Sequence, residues 1–269
     1  MRKLIASLSR SAFLRRTAKS LRLQHAANAF LRRKPMVKEL PGSGIVYRAS
    51  RLESIPLAVD MLEKGSLYPT DILPSPLTSF ADLGCNVGYF TCWLAHERGR
   101  ALKGIMVDAN PDVVREAQWH ADANSLREVH ALHGLAGSSG SSADFYLYDS
   151  NVCSASKPLD SALPELKGDW KKISVPALSI EKIWRERFGN LSCDLLKLDI
   201  EGSELQFVQL EANFLKSVSV IIAEWHSWGT TKEAFSEELA RHGFVLRRIL
   251  DDSPLMGTVV FSRTTPTAS

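Results

Sequence analysis

Four places in the 269-residue chain combine residue types that can bind and transform a small molecule. The first is Asp82-Leu83-Gly84-Cys85-Asn86-Val87-Gly88. Glycines 84 and 88 let a chain turn sharply from strand into helix. The open N–H groups at such a turn form a concave surface for a polar or anionic group. A dinucleotide site wants G-x-G-x-x-G, to bring backbone against a pyrophosphate. The spacing here is G-x-N-x-G, with an acid two residues before the first glycine. That suits a ligand without a pyrophosphate, and no other G-x-G-x-x-G is present. A nicotinamide-linked dehydrogenase is therefore disfavoured.

The second place is Asp108, followed by Ala109, Asn110 and Pro111. An acid at the end of a second strand is positioned to accept both hydroxyls of a ribose. Asn110 suits an N-cap and Pro111 a first helical position. The third is Lys197-Leu198-Asp199-Ile200-Glu201-Gly202-Ser203-Glu204. Three carboxylates where a strand meets a helix repel one another and are costly to desolvate. This points to function at Asp199, while Glu204 also reads as a helix-start residue. The fourth is Glu224-Trp225-His226. In an extended strand, 224 and 226 share a face, so both are expected over the ligand. Histidine is the natural group to take a proton near pH 7. His120 and His130 have no such context and read as ordinary structural residues.

These residues need a scaffold that brings strand tips together. From Phe80 onward, short apolar runs alternate with helical patterns, the βαβ signature of a parallel sheet. Strands are expected at 80–83, 103–107, 127–133, 193–198 and 218–224. Helices are expected at 88–98, 111–123, 179–188, 203–213 and 231–242. The segments 244–250 and 256–262 read as a closing antiparallel pair. Ser/Gly-rich 137–142 is a turn into an alternating strand at 143–149, and 150–172 reads as an irregular insertion. Upstream, 45–48 is a candidate short strand and 54–65 a helix. The organisation is then a basic arm (1–39), a cap or entrance segment (40–78), the α/β domain (79–263) and a short tail (264–269).

Charge divides unevenly. Residues 1–38 hold 11 Lys/Arg and no acid, leaving 22 basic against 30 acidic residues, net −8, in 39–269. Residues 1–34 are helix-prone, and four readings stay open: a solvated arm or short helix packed on the domain, a helix on an anionic membrane surface, a mitochondrial presequence, or a nucleic-acid contact. The acidic core would repel a phosphate backbone. Cysteines 85, 92, 153 and 193 form no C-x-x-C pair and read as reduced thiols of a cytoplasmic protein. No apolar run reaches the roughly 20 residues of a membrane span, and no secretory signal is expected behind the basic start.

Taken together, DLGCNVGYFT (82–91), Asp108 with Asn-Pro after it, KLDIEGSE (197–204) and IIAEWH (221–226) resemble the FkbM-type S-adenosylmethionine-dependent methyltransferases. The resemblance extends over roughly 45–263, including YRASRLESIPLAVDMLEKGSLY (47–68). It implies a Rossmann-like seven-stranded α/β sheet, mostly parallel with one antiparallel strand and helices on both faces. It implies S-adenosyl-L-methionine as methyl donor and a hydroxyl of a sugar, glycolipid, polysaccharide or secondary metabolite as acceptor. The donor-binding set is then Asp82, Gly84, Cys85, Asn86, Gly88, Phe90, Asp108, Ala109, Asn110, Gly134, Leu135, Ala136 and Asp199. Gly84, Asn86 and Gly88 would hold the amino-acid part, Asp108 the ribose, and 133–136 the adenine. The family often has Asp where Ser179 stands, and Asn where His133 stands. His226 is the first choice of base, with Asp199 or Glu224 orienting it or the acceptor. The site is read without a metal, a divalent ion on Asp199, Glu201 and Glu224 being the alternative. A non-catalytic S-adenosylmethionine-binding scaffold and a nucleic-acid methyltransferase recruited by the arm remain rival functions. The second lacks an N/D-P-P-Y/F-like strand end, and the fourth strand ends in Asp199, not in the Cys a cytosine-C5 enzyme needs.

Overall fold

The computed structural model describes residues 23–147 and 170–264. Most of the expected 150–172 insertion, Cys153, residues 1–22 of the arm and all but the first residue of the tail lie outside them.

The centre is a seven-stranded sheet. Its strands are β3 (Ser79–Leu83), β4 (Lys103–Asp108), β5 (Glu128–His133), β8 (Cys193–Leu198), β9 (Val218–His226), β10 (Phe244–Asp252) and β11 (Met256–Arg263). The spatial order is β10-β11-β9-β8-β3-β4-β5. Pairings β5–β4–β3–β8–β9 are parallel, and β11 runs antiparallel to both β9 and β10. This is the Rossmann-like sheet with one reversed strand. Parallel strands are covered on both faces, which explains why β3 is buried at every position. The chain lays down β3, β4 and β5 in one direction, then returns to place β8 on the other side of β3. The topological switch point thus lies between β3 and β8, where ligands of open α/β sheets bind.

Helices α3 (Tyr89–Arg98), α4 (Pro111–Ala123), α5 (Ile180–Phe188), α6 (Glu204–Leu210), α7 (Ala212–Leu215) and α8 (Lys232–Arg241) follow the strands. Their starts carry local signals. Asn110 caps α4 by accepting from the Asp112 amide, with Pro111 in the first turn, and Ser179 and Thr231 cap α5 and α8 in the same way. The expected helix 203–213 is broken at Glu211, whose carboxylate instead accepts from the Ile180 and Glu181 amides of α5.

Ahead of the domain, α1 (Leu23–Arg33) leads into a hairpin of β1 (Met36–Leu40) and β2 (Ile45–Ala49). The hairpin starts three residues before the boundary expected at 39. Leu31 is buried in a small cluster with Ala49, Leu52 and Ile55, and Asn28 accepts from the Leu52 amide. The described part of the arm is thus a short helix packed on the domain. The expected 54–65 helix is shorter: α2 (Ser54–Ala58) runs into a π turn at Val59–Glu63, closed by Lys64 N–H donating to Val59 O. A separate two-stranded ribbon joins β6 (Ser142–Leu147) to β7 (Lys171–Pro176). Among the described residues no helix is long and apolar enough to cross a membrane, and Cys85, Cys92 and Cys193 are free and buried.

One buried histidine ties the hairpin to the switch point. The Arg48 amide donates to His120 Nε2 at 2.9 Å, so Nδ1 carries the hydrogen that reaches Val87 O at 2.8 Å. Burial pushes the imidazole down to about 4, against the lift from these backbone bonds, and His120 is neutral.

Candidate functional site

A cavity of about 470 Å³ opens at the C-terminal tips of β3, β4, β8 and β9, within the range of small-molecule sites. Its floor is the turn after β3. Gly84 (φ +76°) comes so close to β8 that a Cβ would lie 1.6 Å from the Asp199 carbonyl oxygen. Only glycine allows the two strand tips to meet there. The amides of Gly84 and Cys85 both donate to Val107 O, and the Asp199 amide donates to Leu83 O. Gly88 (φ +85°) is the left-handed residue that starts α3.

Asp108 stands at the tip of β4. Its Oδ2 accepts from the Asn86 amide at 2.9 Å and its Oδ1 from the Asn110 amide at 2.8 Å. Each oxygen keeps a lone pair for a further donor. Burial pushes this carboxyl up to about 6 despite the two amide bonds. Beside it, Ala109, Leu135, Phe145 and Val175 form an apolar cluster, and Ala109, Leu135, Ala136 and Phe145 line the cavity. His133 Nε2–H donates to the Ala109 carbonyl at 3.0 Å, which fixes this wall.

Lys197, buried inside β8, is one of the site residues that sequence patterning does not reveal. Its Nζ reaches Asp199 Oδ2 at 3.1 Å, Gly84 O at 3.1 Å and Asp82 Oδ1 at 3.5 Å. Burial opposes its charge, but Asp199 and Asp82 more than restore it, so the ammonium is held well above its usual range. Asp82 itself is fully buried and pushed up to about 6 by desolvation. It meets the ligand space only through Lys197. Its signal was present, a lysine two residues before a strand-end acid, but a lysine in a buried strand is read as an exposed position unless its partners are known.

The acid-rich turn separates into two roles. Glu204 is fully buried. Its Oε1 accepts from the Ile200 amide at 3.1 Å, the Gly202 amide at 3.0 Å and His226 Nδ1 at 2.9 Å. It is the anchor of its own loop. Glu201 holds a left-handed backbone (φ +55°), which a non-glycine residue adopts only under constraint. Its side chain lines the cavity, as do Asp199 and Glu224. Burial pushes Glu201 upward, and the neighbouring carboxylates add to this against the pull of His226.

His226 does not line the cavity. Its side chain is 2 % exposed, behind Glu224 and Glu201, with Nε2 at 3.5 Å from Glu224 Oε1 and 3.7 Å from Glu201 Oε2. Burial disfavours its charge, yet Glu204, Glu224 and Glu201 overcome this and raise its pKa strongly. The expectation that His226 faces the ligand space directly is corrected: Glu224 and Glu201 stand between it and the cavity. The strand alternation does place 224 and 226 on one face, but residue 226 is overlaid by the 200–203 turn, whose Glu201 carbonyl accepts from Trp228 Nε1 at 3.1 Å.

Of the expected donor set, Gly84, Cys85, Asn86, Phe90, Asp108, Ala109, Asn110, Gly134, Leu135, Ala136 and Asp199 line the cavity, whereas Asp82 and Gly88 support it from behind. The opposite wall comes from the cap and the sheet edge: Leu57, Met61, Leu67, Tyr68 and Leu250. Tyr68 is buried against Phe90 and Trp93. Among the described residues, the acidic and histidine side chains that come together differ from the alternative set of Asp199, Glu201 and Glu224. One ligand atom each from Asp199, Glu224 and His226 lies within 4.8 Å of the others.

The reversed-strand Rossmann-like sheet, with a glycine turn and a ribose-type acid at its switch point, defines the S-adenosylmethionine-dependent methyltransferase class. A family model, the methyltransferase FkbM domain, matches residues 82–249, and the chain belongs to that family. No curated protein sequence matches the chain. Solved structures of similar fold include M. capricolum TrmK with S-adenosylhomocysteine, at 11 % identity and TM-score 0.41, covering 74 % of this chain and 70 % of that one. The mitomycin 7-O-methyltransferase MmcR is 11 % identical with TM-score 0.44, over 80 % of this chain and 56 % of its own. The Pyrococcus abyssi tRNA (uracil-54, C5)-methyltransferase with S-adenosylhomocysteine is 13 % identical with TM-score 0.47, over 85 % of this chain and 44 % of its own. The chain thus spans about half the length of the last two.

Proposed function

We propose that the protein methylates an oxygen of an uncharged hydroxylated acceptor, of the sugar, glycolipid, polysaccharide or secondary-metabolite kind. S-Adenosylmethionine supplies the methyl on a sulfonium: the acceptor oxygen's lone pair takes the methyl carbon, and the carbon–sulfur pair stays on sulfur. The donor half of the cavity fits it. Gly84 and Asn86 offer a tight backbone cradle, Asp108 two acceptor oxygens for vicinal hydroxyls, and Ala109, Leu135, Ala136 and Phe145 an apolar slot for a flat base.

The observation that carries the acceptor class is the pairing of walls at the other end. Asp199, Glu201, Glu224 and Asp251 line the cavity together with the apolar Leu57, Met61 and Leu250. Carboxylates repel a phosphate backbone and disfavour an anionic acceptor, while the apolar side takes the body of a neutral one. Glu201, which lines the cavity, is the group we assign to receive the proton an alcohol must lose. Holding acceptor and donor in line can supply roughly 7–11 kcal/mol of the barrier reduction, and a positioned base about 10²–10⁴-fold.

The test is a panel of neutral glycans, anionic glycans, polyhydroxylated small molecules and transfer RNA, incubated with methyl-labelled donor. Label on neutral hydroxyl acceptors is expected. Label on transfer RNA alone would contradict the reading. Donor binding without label on any acceptor would favour a scaffold.

A further inference from the structure

The geometry points to a divalent-cation site formed by Asp199, Glu224 and His226 at the acceptor end of the cavity. Two carboxylates and an imidazole offer ligand atoms within 4.8 Å of one another. Three protein ligands with the remaining positions open to a cavity is the pattern of a catalytic, rather than structural, metal. The oxygen donors suit Mg²⁺ or Mn²⁺, and the imidazole favours the latter.

A second, independent observation is the way His226 is held. Its side chain is 2 % exposed, and its Nδ1 is engaged by the fully buried Glu204 at 2.9 Å. That leaves Nε2 as the only ring atom directed at the carboxylates. Its nearest oxygens there stand at 3.5 Å and 3.7 Å, longer than an ordinary N–H···O bond of about 2.7–3.2 Å. A buried imidazole fixed through one nitrogen by a carboxylate, with the other left at wider spacing among oxygens, is the second-shell arrangement of a metal-ligating histidine. Lys197 occupies one oxygen of Asp199 and leaves the other for a ligand. Glu201 stays outside the set and free to receive a proton.

The role assigned to the cation rests on the methyltransferase reading: it would bind the acceptor hydroxyl and ease loss of its proton to Glu201, before the oxygen takes the methyl group. Its presence does not rest on that reading. The experiment uses the full chain, stripped with a chelator, titrated with Mn²⁺ by electron paramagnetic resonance and, separately, with S-adenosylhomocysteine by calorimetry. One Mn²⁺ per chain is expected, displaced by excess Mg²⁺. Glu224→Gln and Asp199→Asn should each weaken Mn²⁺ binding by at least roughly tenfold, with Glu201→Gln close to wild type. Circular dichroism checks folding of each variant. Binding of S-adenosylhomocysteine with no Mn²⁺ bound below about 1 mM, or Mn²⁺ binding unchanged in both folded ligand variants, would overturn the cation site. Mn²⁺ bound at this set without S-adenosylhomocysteine would support the site and sink the donor reading instead.

Discussion

Gly84 and Asp199 meet backbone to backbone: a Cβ on Gly84 would lie 1.6 Å from the Asp199 carbonyl oxygen. The donor floor and the acid that faces the acceptor are therefore one rigid unit. Gly84→Ala forces a left-handed alanine and a main-chain clash. It should cost at least about 3 kcal/mol, lowering Tm by roughly 6–12 °C. Differential scanning calorimetry measures this, and a Tm within a degree of wild type would show that the two strand tips separate freely.

Asp108 should govern donor affinity through its charge. Asp108→Ala removes two acceptor oxygens, and loss of charged hydrogen bonds worth about 1.5–3 kcal/mol predicts roughly 10–150-fold weaker S-adenosylhomocysteine binding. Because burial holds this carboxyl at about 6 in the free protein, wild-type affinity should fall as pH drops below that value. Calorimetric titrations between pH 5 and 8 would show it; a flat profile would mean that Asp108 does not hold the ribose.

His120 makes an opposite-signed contribution to folding. Its pKa is depressed to about 4 from 6.5, so the unfolded chain binds the extra proton first. The stability it provides is complete above 6.5 and is lost as pH falls toward 4. Asp82 and Asp108, raised to about 6 from 3.8, do the reverse: the folded state binds their protons first and gains stability across the same fall. Urea denaturation of His120→Gln should show less acid-side loss than wild type, and of Asp108→Asn more.

Much of this was legible in the chain. Alternating apolar runs located the five parallel strands, since a doubly covered sheet leaves little else for such runs to do. The glycine turn and Asp108 sat at strand tips, where spacing alone predicts a ligand. His226 was misread because period-2 alternation tells which face a side chain is on, not what lies over it; the covering turn is tied down by Glu204, 22 residues away, through the Glu204–His226 bond. Lys197, Tyr68 and Phe145 were missed for the same reason. Each looks like ordinary strand or loop sequence until the cap and the ribbon fold over the sheet.

Lys197 should prove a structural cation. Lys197→Met leaves Asp82 and Asp199 uncompensated and should cost about 3–5 kcal/mol, as expected for breaking a buried pair. Adding Asp82→Asn should return part of that loss. A double variant no more stable than Lys197→Met would show that Asp82 and Lys197 are not coupled.

Thermal unfolding with S-adenosylhomocysteine, with NAD⁺ as control, tests the donor site most directly. At about 100 times its Kd, the ligand should add roughly 2.7 kcal/mol, a shift of several degrees for a domain of this size. The account predicts that shift with S-adenosylhomocysteine alone, and its loss in Asp108→Ala. A well-folded sample that shifts with NAD⁺, or with neither ligand, would contradict it.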